Sequence, residues 1–153
     1  MASEKLSPLT VLEIQLIKHE GMRLLPYHCT AGKLTIGVGR NLEESGISRD
    51  EAVLLLRNDI ERFATALDKR FPWFRSLSEI RQRALIDMSF MGMGKVLEFK
   101  RMLAALQAFD YATAAAEMLA SKWASQVGTR ARTLATLLRD DRDPCIDNQR
   151  KDQ

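Results

Sequence analysis

Cysteine is scarce. The chain of 153 residues has two, Cys29 and Cys145, spaced for neither a metal site nor a disulfide framework. That excludes a secreted disulfide scaffold, and in a reducing compartment both thiols are expected to be free. Long apolar runs are missing as well. Apolar stretches such as residues 53–56 and 134–138 fall far short of the roughly 20 residues a membrane-spanning helix needs. The opening MASEKLSPLT holds no apolar stretch of the signal-peptide or signal-anchor kind, which implies synthesis and folding in the cytoplasm. No repeat, low-complexity linker or basic patch interleaved with aromatics occurs, so a tandem array is excluded and a nucleic-acid partner is not expected. No metal ligand set is discernible: His19 and His28 flank Glu20 and Cys29, but a zinc site would need a fourth ligand and a different spacing.

What the chain does contain is ordinary soluble-protein composition, 46% hydrophobic and 28% charged. Its length suits one domain, residues 1–153, able to bury a real core. A formal charge of +3 and a pI near 9.0 suit an anionic partner such as a cell-wall polymer, without choosing among anions.

Helical periodicity dominates. Ser7-Pro8 offers an N-cap and an N1 proline for a first helix over residues 8–20. Ser48-Arg49-Asp50-Glu51 is a capping box opening a long helix that Pro72 terminates near residue 70. Ser76-Leu77-Ser78-Glu79 offers a further box, and the helix after it should break at Gly92 and Gly94. Further helices are expected near 98–106, 112–121 and 129–139, with a polar, frayed tail over 141–153. Trp123 reads as core. Between the first two helices, 24–27 and 34–38 are short β-prone runs around Thr30-Ala31-Gly32-Lys33, the composition of a hairpin turn. The expected fold class is therefore α+β, mostly helical, with a small antiparallel sheet.

The chain is organised around residues 17–39, IKHEGMRLLPYHCTAGKLTIGVG. Glu20 falls at the end of the first helix, where Gly21 stops it. The negative end of a helix macrodipole disfavours an ionised carboxylate, and a carboxyl that keeps its proton is what a general acid requires. On its own, such a residue is most often a solvated surface acid.

Its neighbours change the balance. Eight residues separate Glu20 from Cys29, and five separate Cys29 from Thr35, which opens Thr35-Ile36-Gly37-Val38-Gly39. This E-x8-C-x5-T pattern, with Arg23, Tyr27 and Gly32 between, resembles the catalytic region of T4-like phage lysozymes, glycoside hydrolase family 24. Ser121-Lys122-Trp123 through Arg130-Ala131 resembles the late S-[RK]-W…RA segment of that family. Phe90, with its methionine and glycine neighbours, resembles the family's cleft-lining segment. Together the matches cover roughly residues 12–139.

The resemblance implies a lysozyme-like fold: a β-hairpin lobe over about 21–48, a connecting helix over 49–70, and a helical lobe over 72–140 with which the first helix packs. It implies a muramidase of the endolysin type, acting on peptidoglycan as a monomer after holin-dependent release to the cell wall, with no cofactor and no metal. Glu20 would be the acid. Cys29 stands where many members carry Asp and would act as base, nucleophile or water-holder; by itself a cysteine is as readily a small buried hydrophobe. Thr35 would orient the water, although threonine is common in strands anyway. Arg130 would pair with Glu20, and Asn41, Phe90 and Glu117 would contact saccharide. Arg40 departs from the family's usual histidine, which puts a supporting ion pair beside the sheet in doubt. A lytic transglycosylase, or a wall- or membrane-binding protein with a decayed site, are the competing readings.

Overall fold

The computed structural model describes residues 7–144 and 146. The chain divides into two compact units, one up to Leu55 and the other from Leu56.

The first unit holds helix α1 (Val11–Glu20), strands β1 (Arg23–His28), β2 (Leu34–Gly37) and β3 (Arg40–Asn41), and the start of α2 (Arg49–Arg70). The cap of α1 differs from the sequence expectation. Thr10, not Ser7, is the N-cap: its hydroxyl accepts from the Glu13 amide while Glu13 reaches back to the Thr10 amide. This reciprocal pairing satisfies two orphan donors at once, which a Ser-Pro pair cannot do. The strands form an antiparallel sheet in the order β1-β2-β3. Tyr27 pairs with Thr35, and Thr35 with Asn41. The third strand consists of Arg40 and Asn41. It forms because positive φ at Gly37 and Gly39 turns the chain back on itself, a conformation glycine adopts without a steric cost.

The Ser48 capping box is present, with Glu51 accepting from the Ser48 amide at 2.7 Å and Ser48 Oγ accepting from the Glu51 amide at 3.2 Å. Helix α2 runs from there across the boundary at Leu55 and ends at Arg70 before Pro72.

The second unit continues with α3 (Glu79–Ser89), α4 (Met93–Glu98), α5 (Lys100–Gln107), α6 (Tyr111–Leu119), α7 (Lys122–Val127) and α8 (Thr129–Asp140). Helix α6 packs against α5 and α8, and α8 also takes α3 and α7. Leu67, Phe74, Leu85, Met88, Val96, Met102, Leu106, Met118 and Leu138 are the fully buried large apolar residues of its core. Each such side chain contributes on the order of 1.5–3 kcal/mol relative to exposure. Trp123 packs against this core edge-on to Phe99, as expected for it.

Several boundaries move. Ser78 is the N-cap of α3, accepting from the Arg81 amide, so the box expected from Ser76 is displaced by two residues. Gly92 does interrupt the chain, at φ 107°, but Gly94 lies inside α4. The helix expected over 98–106 is α5, which starts at Lys100 because Phe99 leaves helical geometry, and α4 is a further short helix ahead of it. Residues 122–127 add a helix that was not anticipated; Ser121 caps it. The start of the expected frayed tail is tied down: Asp141 accepts from Ser78 and pairs with Arg81, and the buried Asp143 pairs with Arg83. Cys145 and the rest of the tail from 147 lie outside the described residues.

Candidate active site

Glu20 is the last residue of α1, and Gly21 turns the chain at φ 75° with its amide bonded to the Ile17 carbonyl. The carboxylate lies against the backbone of Gly39: a Cβ placed on that glycine would stand 3.2 Å from Glu20 Oε2. Glycine is required at residue 39 for two reasons, the φ of 72° and this close approach. The side chain itself is exposed.

Cys29 closes the β1–β2 connection. Its carbonyl accepts from the Gly32 amide at 2.8 Å, and its amide donates to the Lys33 carbonyl at 3.0 Å. The thiol is partly exposed. Backbone N–H groups of Lys33 and then Ala31 favour its thiolate and bring its pKa below that of an ordinary cysteine; the partial burial opposes them, and Thr35 adds a smaller lowering. The Thr35 hydroxyl donates to the Lys33 carbonyl, 2.9 Å away. A lowered thiol pKa makes Cys29 a better nucleophile-bearing or proton-accepting group at neutral pH than a free cysteine.

Thr35 is the one buried residue among those described in the first unit, 3% exposed. Burial fixes its rotamer, so a group it holds would be held in one place. Asn41, its partner across β2 and β3, has its side-chain oxygen engaged locally: Oδ1 accepts from the amides of Glu43 and Glu44. Its amide nitrogen is the end available to a ligand. Arg40, where a supporting ion pair was in doubt, makes one: Nη2 and Nη1 meet Glu51 at 2.9 and 3.1 Å, and Nη1 also reaches the Gly46 carbonyl. Glu51 thus caps α2 and braces the loop after β3 at the same time. Arg23 lies over the Tyr27 ring, 4.4 Å from its centroid, which orders β1 ahead of Cys29.

In the second unit, Arg130 lies in the first turn of α8. Its Nε donates to Asp87 Oδ1 at 2.8 Å and its Nη2 to the Asp87 main-chain oxygen at 3.0 Å. Phe90 follows the end of α3, 43% exposed, with its ring 5.0 Å from that of Phe63. Glu117, on α6, is half-buried in the lining of a cavity of about 540 Å³ that also has Phe99, Met102 and Trp123 in its walls. Glu20, Cys29, Thr35 and Asn41 therefore belong to the sheet-bearing unit, and Arg130, Phe90 and Glu117 to the helical one.

Sequence reasoning missed Asp87. It is an acid in an amphipathic helix, and no local pattern ties it to an arginine 43 positions later. Glu51 was read as a cap only; its second bond, to Arg40, is likewise non-local. Among the described residues no group of three or more His, Cys, Asp or Glu side chains could hold a metal ion.

A small three-stranded antiparallel sheet in a mostly helical α+β chain is the arrangement of a lysozyme-like fold. The phage lysozyme family model matches residues 17–141. The chain belongs to the phage lysozyme family. It is similar to the "Probable T4-type lysozyme 1" of Dictyostelium discoideum, 27% identical over 149 residues covering 78% of this chain and 88% of that protein. It is also similar to the "Pre-baseplate central spike protein Gp5" of Enterobacteria phage T4, 28% identical over 150 residues. That match takes in 79% of this chain and 26% of the spike protein, so the chain spans about a quarter of that relative's length.

Proposed function

We propose that this chain hydrolyses the β-1,4 bond between N-acetylmuramic acid and N-acetylglucosamine in peptidoglycan, as an endolysin-type lysozyme causing bacterial cell-wall lysis. The observation that carries the reading is the Glu20 carboxylate at the end of α1, set against Gly39, within a family match that runs from residue 17 to residue 141.

In this mechanism Glu20 gives its proton to the leaving glycosidic oxygen as the C1–O bond breaks. Water adds to C1 from the opposite face of the sugar and loses a proton. Thr35 orients that water, and Cys29, with its thiolate favoured by the Lys33 and Ala31 amides, assists as base. The same thiolate could serve as the nucleophile of a two-step route, and the stereochemistry of the product separates the two. Arg130 supports the acid, and Asn41, Phe90 and Glu117 contact the saccharide. The chemistry calls for no metal or organic cofactor. No described helix is long and apolar enough to cross a membrane, and the reading has the protein reach the wall through a separate pore, a holin, and act as a monomer.

Mass spectrometry of the muropeptides released from purified peptidoglycan is the test. Reducing muramic ends are expected. Anhydro-muramyl ends would make the protein a lytic transglycosylase, and release of nothing by the folded protein would return it to a wall-binding role.

A further inference from the structure

Each member of the Arg130–Asp87 pair stands at the wrong end of its own helix. Asp87 lies in the last turn of α3, where the macrodipole is negative, and Arg130 in the first turn of α8, where it is positive. Each charge is unfavourable to its own helix and, among the described residues, is paired with the other. A pair that served helix stability alone would have the opposite signs. The geometry also constrains direction. Nε and Nη2 are both spent on Asp87, with Nη2 2.7 Å from Oδ1 and 3.0 Å from the main-chain oxygen, while Nη1 bonds to no protein group among the described residues. The guanidinium is therefore gripped along one edge and presents the other, and both side chains are 45% exposed, open to a ligand.

We propose that Asp87 is a positioning residue: it holds the Arg130 guanidinium along one edge and leaves Nη1 to engage the saccharide. The inference rests on the lysozyme reading above, in which Arg130 acts at the site. Asp87 touches no reacting atom and works through Arg130 alone.

The test is a cycle of Asp87→Ala, Arg130→Ala and the double variant, with initial rates on purified peptidoglycan giving kcat and KM, and thermal melting measured alongside. Misplacing a catalytic group by about 1 Å can cost on the order of a hundredfold, so Asp87→Ala, which loosens Arg130 without removing it, should lower kcat roughly tenfold. The double variant should be no slower than Arg130→Ala, because the two act as one unit. Asp87→Glu, which keeps the charge, should recover part of the loss. Should Asp87→Ala fail to fold, Asp87→Asn keeps the shape and one acceptor and should lose kcat severalfold. Losses that multiply in the double variant, or a lowered melting temperature with kcat intact, would overturn the inference and leave the pair as a tie between α3 and α8. An inactive wild-type protein would remove the lysozyme reading and this inference with it, whereas an active wild type with an unaffected Asp87→Ala removes this inference alone.

Discussion

Replacing Gly39 by alanine should damage catalysis out of proportion to stability, and Gly37→Ala provides the control. Both glycines have φ near 70° (72° and 67°). A side chain there costs about 1–2 kcal/mol in backbone strain, and at about 2–4 °C per kcal/mol for a chain of this size each variant should melt roughly 2–8 °C lower. They differ in what the new methyl meets. At Gly37 it meets nothing within 4 Å; at Gly39 it stands 3.2 Å from Glu20 Oε2. Because Glu20 is exposed, the carboxylate can retreat by a few tenths of an ångström with little further loss of stability. That retreat displaces the proton donor. Scaled from the roughly hundredfold cost of a 1 Å misplacement, Gly39→Ala should lose about threefold to tenfold in kcat beyond Gly37→Ala. The assay is turbidity loss of purified peptidoglycan below the lower melting temperature, with circular dichroism for stability. Equal rates in the two variants at equal stability would refute the claim that the Gly39 backbone sets the position of Glu20.

Three other consequences can be measured directly. In a Cys145→Ser background, the pH dependence of iodoacetamide alkylation of Cys29 should have its midpoint below the ordinary thiol value of about 8.5, since the Lys33 and Ala31 amides favour the thiolate; a midpoint at or above that value would contradict it. Glu51 is held below the usual carboxylate range by the Ser48 amide first and then by Arg40. A lowered folded pKa stabilises above the unfolded value and is lost as pH falls through the folded one. Glu51→Gln should therefore melt below wild type at pH 7, and the gap should close as the pH drops below about 4; a gap that widened in acid would be the wrong sign. Ser78→Ala removes the α3 cap and the bond to Asp141, which should cost about 1 kcal/mol or more. It should lower the melting temperature by a few degrees and leave the rate on peptidoglycan unchanged.

Local chemistry explains which elements can be read from the chain. The hairpin, α2 and α8 follow from signals contained within a few residues: the turn at residues 30–33, the Ser48 capping box with Pro72 at the far end, and the apolar spacing after Thr129. Errors arise where two local signals compete. Thr10 outdoes Ser7 because only Thr10 has a glutamate three residues on, and Ser78 outdoes Ser76 in capping α3. The Phe99 interruption has no proline or glycine to announce it, and β3 consists of two residues, too short for an alternating pattern. The same division runs through the site. Glu20, Cys29 and Thr35 lie close in sequence and form a recognisable spacing, whereas the bonds of Arg40 to Glu51 and of Arg130 to Asp87 depend on how distant segments meet. Residue type alone does not encode that meeting.

The most direct measurement is the rate at which folded Glu20→Gln degrades purified peptidoglycan, compared with wild type at matched melting temperature. The amide keeps the shape of the side chain and removes its transferable proton. The account predicts a loss of at least about a hundredfold, the scale of a general acid's contribution. A variant that retained near-full lytic activity would contradict the assignment of Glu20 as the acid and, with it, the mechanism built on that residue.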